Sequence, residues 1–207
     1  MKNLVIVGNG GFAKEVKWLV DRINVKNTTW NFLGYIDKDK YVKGVIGNDE
    51  FLLSYKDKLA VALSIGTSYN RKRLYDLYKT NSNLYFPNLI DPDVLLSESV
   101  SMGIGNIICA GCIMTVDITV GNGNIINLDC TIGHDVIIDD FVTINPGANV
   151  SGNVHLQTCV EIGTGTQIIQ GKTVGCGSRV GAGAVVVSNL PEYCTAVGMP
   201  AKPINIK

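Results

Sequence analysis

The chain has 207 residues, with 18 basic and 18 acidic side chains, and this even balance gives no electrostatic case for a nucleic-acid partner or an anionic membrane surface. At roughly 150 residues per domain, its length accommodates one or two domains. The apolar start, residues 4–7, is far too short for a membrane span or a signal segment and runs straight into glycines, which predicts a cytoplasmic protein.

The first part of the chain alternates strand and helix patterns. Residues 4–7 read as a short buried strand and Gly8-Asn9-Gly10-Gly11 as a tight turn. Residues 13–23 follow as a helix with Val16, Leu19, Val20 and Ile23 on one face. A second strand, 32–36, ends at Asp37. A third, 60–65, ends at Gly66, and residues 69–79 resume helical spacing. Parallel strands whose carboxyl ends carry glycines and an acid define a crevice of the kind that binds ligands in open α/β sheets. Gly8, Gly10 and Ala13 match G-x-G-x-x-A, where amides at a helix N-terminus can hold phosphate, and Asp37 is the acid that follows on the second strand. The unit is about half a full dinucleotide-binding domain, so it predicts a Rossmann-like half domain for a nucleotide diphosphate or nucleotide-sugar rather than for NAD.

From Ile90 onward an aliphatic residue recurs every sixth position, through Ile108, Ile126, Ile144 and Ile162 to Val186, seventeen times without a miss. Helices repeat near 3.6 and strands at 2, so a period of six marks each hexapeptide as one unit stacked on the next. Three hexads close one triangular turn of a left-handed parallel β-helix, and residues eighteen apart stack. The position two before each aliphatic residue is mostly small or β-branched (Cys112, Cys130, Val136, Ala148, Thr166), which fits the inside of a narrow coil; Lys172 is the misfit. The position after it is often glycine or short and polar (Gly121, Asn127, Gly133, Gly163), suited to a left-handed or tight corner. The expected division is 1–88 for the α/β unit and 89–207 for the β-helix with its tail. Of six cysteines, only Cys109 and Cys112 are closely spaced, without a second pair at zinc-site spacing, so all six read as thiols and no metal is expected.

Two histidines are available as a base. His134 falls two places after Ile132, just past a corner and pointing outward; His155 lies on another phase. Eighteen residues above His134 is Gly152, where a missing side chain leaves room beside the base and a backbone amide for an oxyanion.

The G-x-G-G turn, the strand ends I-D and S-I-G, Phe86-Pro87-Asn88-Leu89-Ile90, Gly133-His134-Asp135 and Gly198-Met199-Pro200-Ala201-Lys202 together resemble the PglD/NeuD family of sugar acyltransferases over nearly the whole chain. The resemblance implies a homotrimer that uses acetyl-CoA to acetylate a sugar, often the 4-amino group of a nucleotide-linked dideoxy sugar destined for surface glycans. Carried over residue by residue, it implies His134 as the base with Asp135 fixing its imidazole tautomer, nucleotide-sugar contacts at Gly10, Gly11, Phe12, Asp37, Lys38 and Gly66, and an acceptor-orienting role for Asn127. It also implies acetyl-CoA between subunits along Thr143, Thr164 and Ala182. Some members carry His at the place of Thr143 and at the place of Asp91, and a polar residue at that of Phe12. A sugar O-acetyltransferase of the sialic-acid type and a non-catalytic nucleotide-sugar-binding module are the alternatives that the sequence leaves open.

Overall fold

The computed structural model describes residues 1–39 and 41–206. The first part contains β1 (Lys2–Val7), α1 (Gly11–Lys26), β2 (Trp30–Ile36), β3 (Val45–Gly47), α2 (Asp49–Ser54), β4 (Leu59–Leu63), α3 (Ser68–Tyr78) and β5 (Leu84–Tyr85). The strands form one parallel sheet in the order β3-β2-β1-β4-β5. Both faces of β1 and β4 are covered, which is why they read as unbroken apolar runs. Leu4, Ile6, Ala60 and Ala62 pack toward Val16, Leu19 and Val20 of α1, and Val5, Val7, Val61 and Leu63 toward Leu52, Leu74 and Tyr78. The short elements β3, α2 and β5 were not legible in the sequence. Each is too brief for a periodicity to show, and α2 is held by local chemistry, the Asn48 side chain accepting from the Phe51 amide at 3.2 Å.

From Leu89 onward the chain winds into a triangular prism, a left-handed β-helix. The first face stacks Leu89–Ile90, Ile107–Ile108, Ile125–Ile126, Thr143–Ile144, Glu161–Ile162 and Arg179–Val180; the second begins at Leu95–Leu96 and the third at Ser101–Met102. Partners within a face are eighteen residues apart, Ile113 beside Thr131 and Thr131 beside Asn149. From Ile108 to Val186 the sixth-position aliphatics share one continuous buried cluster with the apolar residues two places before them; in the first coil Ile90 and Met102 are partly buried and Leu96 is exposed, and Lys172 stays half-buried. The top is closed when Cys194–Val197 continues the first face and Lys202–Ile206 pairs with it antiparallel. Because each coil is buried only by its neighbours, truncating one inward residue is felt locally. Ile144→Ala is expected to cost about 2–5 kcal/mol, read as a lower urea midpoint with an unchanged slope.

One feature of the corners differs from the sequence reading. The residues with left-handed backbone are not those directly after the aliphatics but those two places further on, such as Asp129, Asp135, Gly147 and Gly165. The glycines directly after the aliphatics answer to space: a Cβ on Gly133 meets the Gly152 nitrogen at 2.6 Å, and one on Gly163 meets the Ala182 nitrogen at 2.5 Å. They are where adjacent coils come closest.

The α/β unit lies on the first face. Leu89, Ile107, Cys109 and Ile125 belong to the same cluster as α1 and the β1–β4 sheet surface. At the lower end Arg22 of α1 grips Asp91, with Nε donating at 2.6 Å and Nη2 at 3.0 Å, and reaches Asp93 as well. Burial by itself raises the Asp91 carboxyl, but the hydrogen bonds from Arg22 and from the Asp93 amide outweigh it and hold the group below its ordinary value. A depressed carboxyl stabilises the fold above its unfolded pKa and loses that contribution as pH falls through the folded one. Arg22→Met is therefore expected to lower the urea midpoint near neutrality, because it leaves the buried Asp91 carboxylate without its cation. Urea titrations should show the gap from wild type narrowing as pH falls below the ordinary carboxylate range and Asp91 takes up its proton.

Candidate active site

His134 sits at the corner between the second and third faces, in the column that runs through Val116 below and Gly152 above. Its ring is about half exposed. Asp135 occupies the left-handed position of that corner at φ 58°, a conformation aspartate tolerates better than most residues, and its carboxylate meets His134 Nδ1 at 2.7 Å. With Nδ1–H donated to the carboxylate, Nε2 keeps its lone pair. Gly152 is buried directly against the ring: a Cβ there would lie 2.5 Å from Cε1 and 2.8 Å from Cδ2. The Asn153 amide donates to the His134 carbonyl at 2.7 Å and so fixes one coil on the next. His155, by contrast, stands on the third face with Nε2 at 3.0 Å from Asp139.

A cleft of about 260 Å³ opens where the α/β unit meets the first face, lined by Gly11, Phe12, Glu15, Gly66, Ile125, Asn127, Thr143 and Asn145. Five residues singled out from the sequence (Gly11, Phe12, Gly66, Asn127 and Thr143) come together here. Asp37 and Lys38 line a second cleft of about 360 Å³ at the carboxyl ends of β1, β2 and β4, beside Gly8, Ile65 and Arg73. Gly10 is the N-cap of α1, and a Cβ added to Gly10 or Gly11 meets nothing within 4 Å, so the start of the helix is open to a ligand. Thr164 and Ala182 are exposed and stack on one another along the corner between the first and second faces. Within one chain His134 is not brought to either cleft, because it occupies a different corner of the triangle.

Two features were missed. Asn145 is Asn127 displaced by one coil, so the eighteen-residue stacking could have found it. Arg71 is 1% exposed, on the α3 face that also carries Ser68, Leu74 and Tyr78. A cation at that spacing on a buried helix face was the available signal. Thr143 is itself buried, with its hydroxyl engaged by the Gly66 carbonyl at 2.9 Å, Arg71 at 2.9 Å and Ser68 at 3.2 Å. Burial pushes the Cys109 thiol up to about 12 and that of Cys159 to about 11, so neither offers a nucleophilic thiolate near neutrality. Among the described residues there is no group of three or more His, Cys, Asp or Glu side chains that could hold a metal ion. None of the described helices is long and apolar enough to cross a membrane.

A ligand crevice in a half-Rossmann unit, mounted on a hexapeptide-repeat prism that presents a His–Asp pair at one corner, defines a left-handed β-helix acyltransferase. Comparison with known proteins agrees. Residues 3–78 match the family model described as the PglD N-terminal domain. The acetyltransferase domain of PglB from Neisseria gonorrhoeae FA1090 is 30% identical, with 99% of this chain and 100% of that one covered at a TM-score of 0.90. PerB from Caulobacter crescentus, solved with CoA and GDP-perosamine, is 29% identical over 99% of this chain and 98% of its own at a TM-score of 0.88. WeeI from Acinetobacter baumannii AYE is 28% identical over 99% and 100%, also at 0.88. Among curated proteins, a Schizosaccharomyces pombe chain classed with the acetyltransferases is 54% identical over 37 residues, a stretch spanning only 18% of either chain. The chain belongs to the PglD/NeuD family of sugar acyltransferases, and it is an enzyme.

Proposed function

We propose that this protein transfers the acetyl group of acetyl-CoA to the amino group of a nucleotide-linked 4-amino dideoxy sugar, with His134 as general base and direct attack on the thioester. The observation that carries this reading is the half-exposed imidazole whose Nδ1 is held by Asp135 while its other edge lies against Gly152, a neighbour that adds no side chain. In the reaction the amine nitrogen forms a bond to the thioester carbonyl and gives its proton to Nε2. The tetrahedral oxyanion is met by the backbone amide at Gly152. The C–S bond then breaks, and the imidazolium returns its proton to the departing thiolate of CoA.

The α/β unit, residues 1–88, binds the nucleotide through Gly10, Gly11, Phe12, Asp37, Lys38 and Gly66, and the β-helix, 89–207, carries the chemistry. Asn127 orients the acceptor in the smaller cleft. Thr164 and Ala182, exposed on a corner with glycines in the adjoining column, leave a groove for the coenzyme. Thr143 shapes the cleft wall, since its hydroxyl is already committed. The separation of His134 from the cleft within one chain supports a homotrimer in which the base of one subunit faces the cleft of its neighbour, with acetyl-CoA between them. PerB, crystallised with CoA and GDP-perosamine, and the PglB domain, crystallised with acetyl-CoA, supply the same pair of substrate types in relatives. Such a reaction belongs to surface-glycan assembly in the cytoplasm.

The test is incubation with acetyl-CoA and UDP-, dTDP- and GDP-linked 4-amino sugars, with sialic acid alongside, following release of the CoA thiol. Release with an amino sugar is expected. Release with sialic acid alone would convert the reading to O-acetylation, and no release with any acceptor would leave a binding module.

A further inference from the structure

The two clefts share one loop. Ile65 lines the larger and Gly66 the smaller, so the position of this loop sets how a ligand held in one enters the other. Two side chains hold it from the prism side: the Thr143 hydroxyl, which donates to the Gly66 carbonyl at 2.9 Å, and Arg71, which alone reaches both residues. Arg71 Nη1 donates to the Ile65 carbonyl at 2.6 Å and to the Gly66 carbonyl at 3.1 Å. The rest of the guanidinium points into the prism. Nε donates to the Gly123 carbonyl at 2.7 Å, and Nη2 to the Phe141 carbonyl at 2.9 Å, the Val142 carbonyl at 3.1 Å and Thr143 Oγ1 at 2.9 Å. Gly123 and Phe141 are eighteen residues apart, so the fork spans two successive coils.

We propose that Arg71 is a positioning residue for the acceptor substrate, holding the loop shared by the two clefts in register with the coils that carry Asn127 and Thr143. The proposal rests on the function argued above and assigns to that site a residue outside both clefts. Its partners are six neutral oxygens and no carboxylate. Burying a guanidinium this way is expensive, and an apolar contact of the same size would join the two units at less cost. What an apolar contact lacks is direction: five N–H groups in a rigid plane fix both the distance and the angle between loop and prism. Desolvation lowers the Arg71 pKa only to about 10, so the fork stays charged at neutral pH. The start of α3 is pinned in the same sense, because Glu161 on the next coil accepts from the Ser68 amide at 2.9 Å while Ser68 Oγ lies 3.2 Å from Thr143 Oγ1.

The test is steady-state kinetics of Arg71→Lys with both substrates. A lysine keeps the charge but has three donors and no plane. The KM for the nucleotide-linked amino sugar is expected to rise roughly 10- to 100-fold while the KM for acetyl-CoA stays within about twofold. A folded Arg71→Lys protein whose two KM values change together, or whose amino-sugar KM stays at the wild-type value, overturns the proposal by reducing Arg71 to a structural tie. If Arg71→Lys does not fold, Thr143→Val removes one acceptor of the fork and is expected to show the same split at smaller amplitude; equal or absent shifts there overturn it as well. Failure of the underlying function is separately visible, since the wild-type enzyme would then release no CoA with any amino sugar.

Discussion

His134→Ala is expected to lower kcat/KM for the amino-sugar acceptor by about 10²- to 10⁴-fold, the span that loss of a positioned general base produces. Binding of both substrates should be retained. The imidazole is half exposed and outside the prism core, so its removal leaves no cavity among the stacked aliphatics and the thermal midpoint should be unchanged. Asp135→Asn is expected to fall between variant and wild type, because the amide can hold the ring only weakly and in either tautomer. Calorimetric titration with CoA alongside initial rates separates the cases. A variant that binds and does not turn over supports the assignment, and one that turns over at the wild-type rate removes His134 from the chemistry.

Gly152→Val should be nearly as damaging for a different reason. The space that its first carbon would take is already the imidazole ring, with Cε1 2.5 Å and Cδ2 2.8 Å from that carbon, so the ring must swing away from Asp135 or the two coils must part. The second outcome would strain the tie between the Asn153 amide and the His134 carbonyl, whereas the first costs only an exposed side-chain contact. The ring therefore moves. We expect kcat to drop by roughly 10²-fold or more, with a modest fall in stability. Gly152→Ala should follow in the same direction, since it is the first carbon that collides. Unchanged turnover and acetyl-CoA affinity in Gly152→Val would mean that the corner has no part in catalysis.

Both expectations came within reach of the sequence because of the prism's regularity. Once a six-residue period is recognised, every side chain has an assigned face, corner and vertical neighbour, and Gly152 over His134 follows by counting. The same counting would have produced Asn145 over Asn127. It could not place the left-handed residues correctly, because spacing alone does not say whether a corner glycine answers to dihedral angle or to the approach of the next coil. In the α/β unit the long buried strands and the amphipathic α1 were legible, but β3, α2 and β5 were not, since each spans too few residues for a pattern to emerge.

By itself, then, the sequence determined the prism, its inward and outward residues and the His134–Asp135–Gly152 corner, all local consequences of a repeat in which each hexad sees only its neighbours. Only the tertiary structure decided how the α/β unit sits on the first face. That docking gathers Gly11, Phe12, Gly66, Asn127 and Thr143 into one cleft, whereas Asp37 and Lys38 line another built wholly within the α/β unit. It is set by contacts between residues 52 to 93 positions apart, Arg22 with Asp91, Arg71 with Gly123 and the Phe141–Thr143 coil, and Ser68 with Glu161. A buried arginine satisfied by backbone carbonyls leaves no complementary charge in the sequence to betray it, so its partners become visible only when the chain is folded.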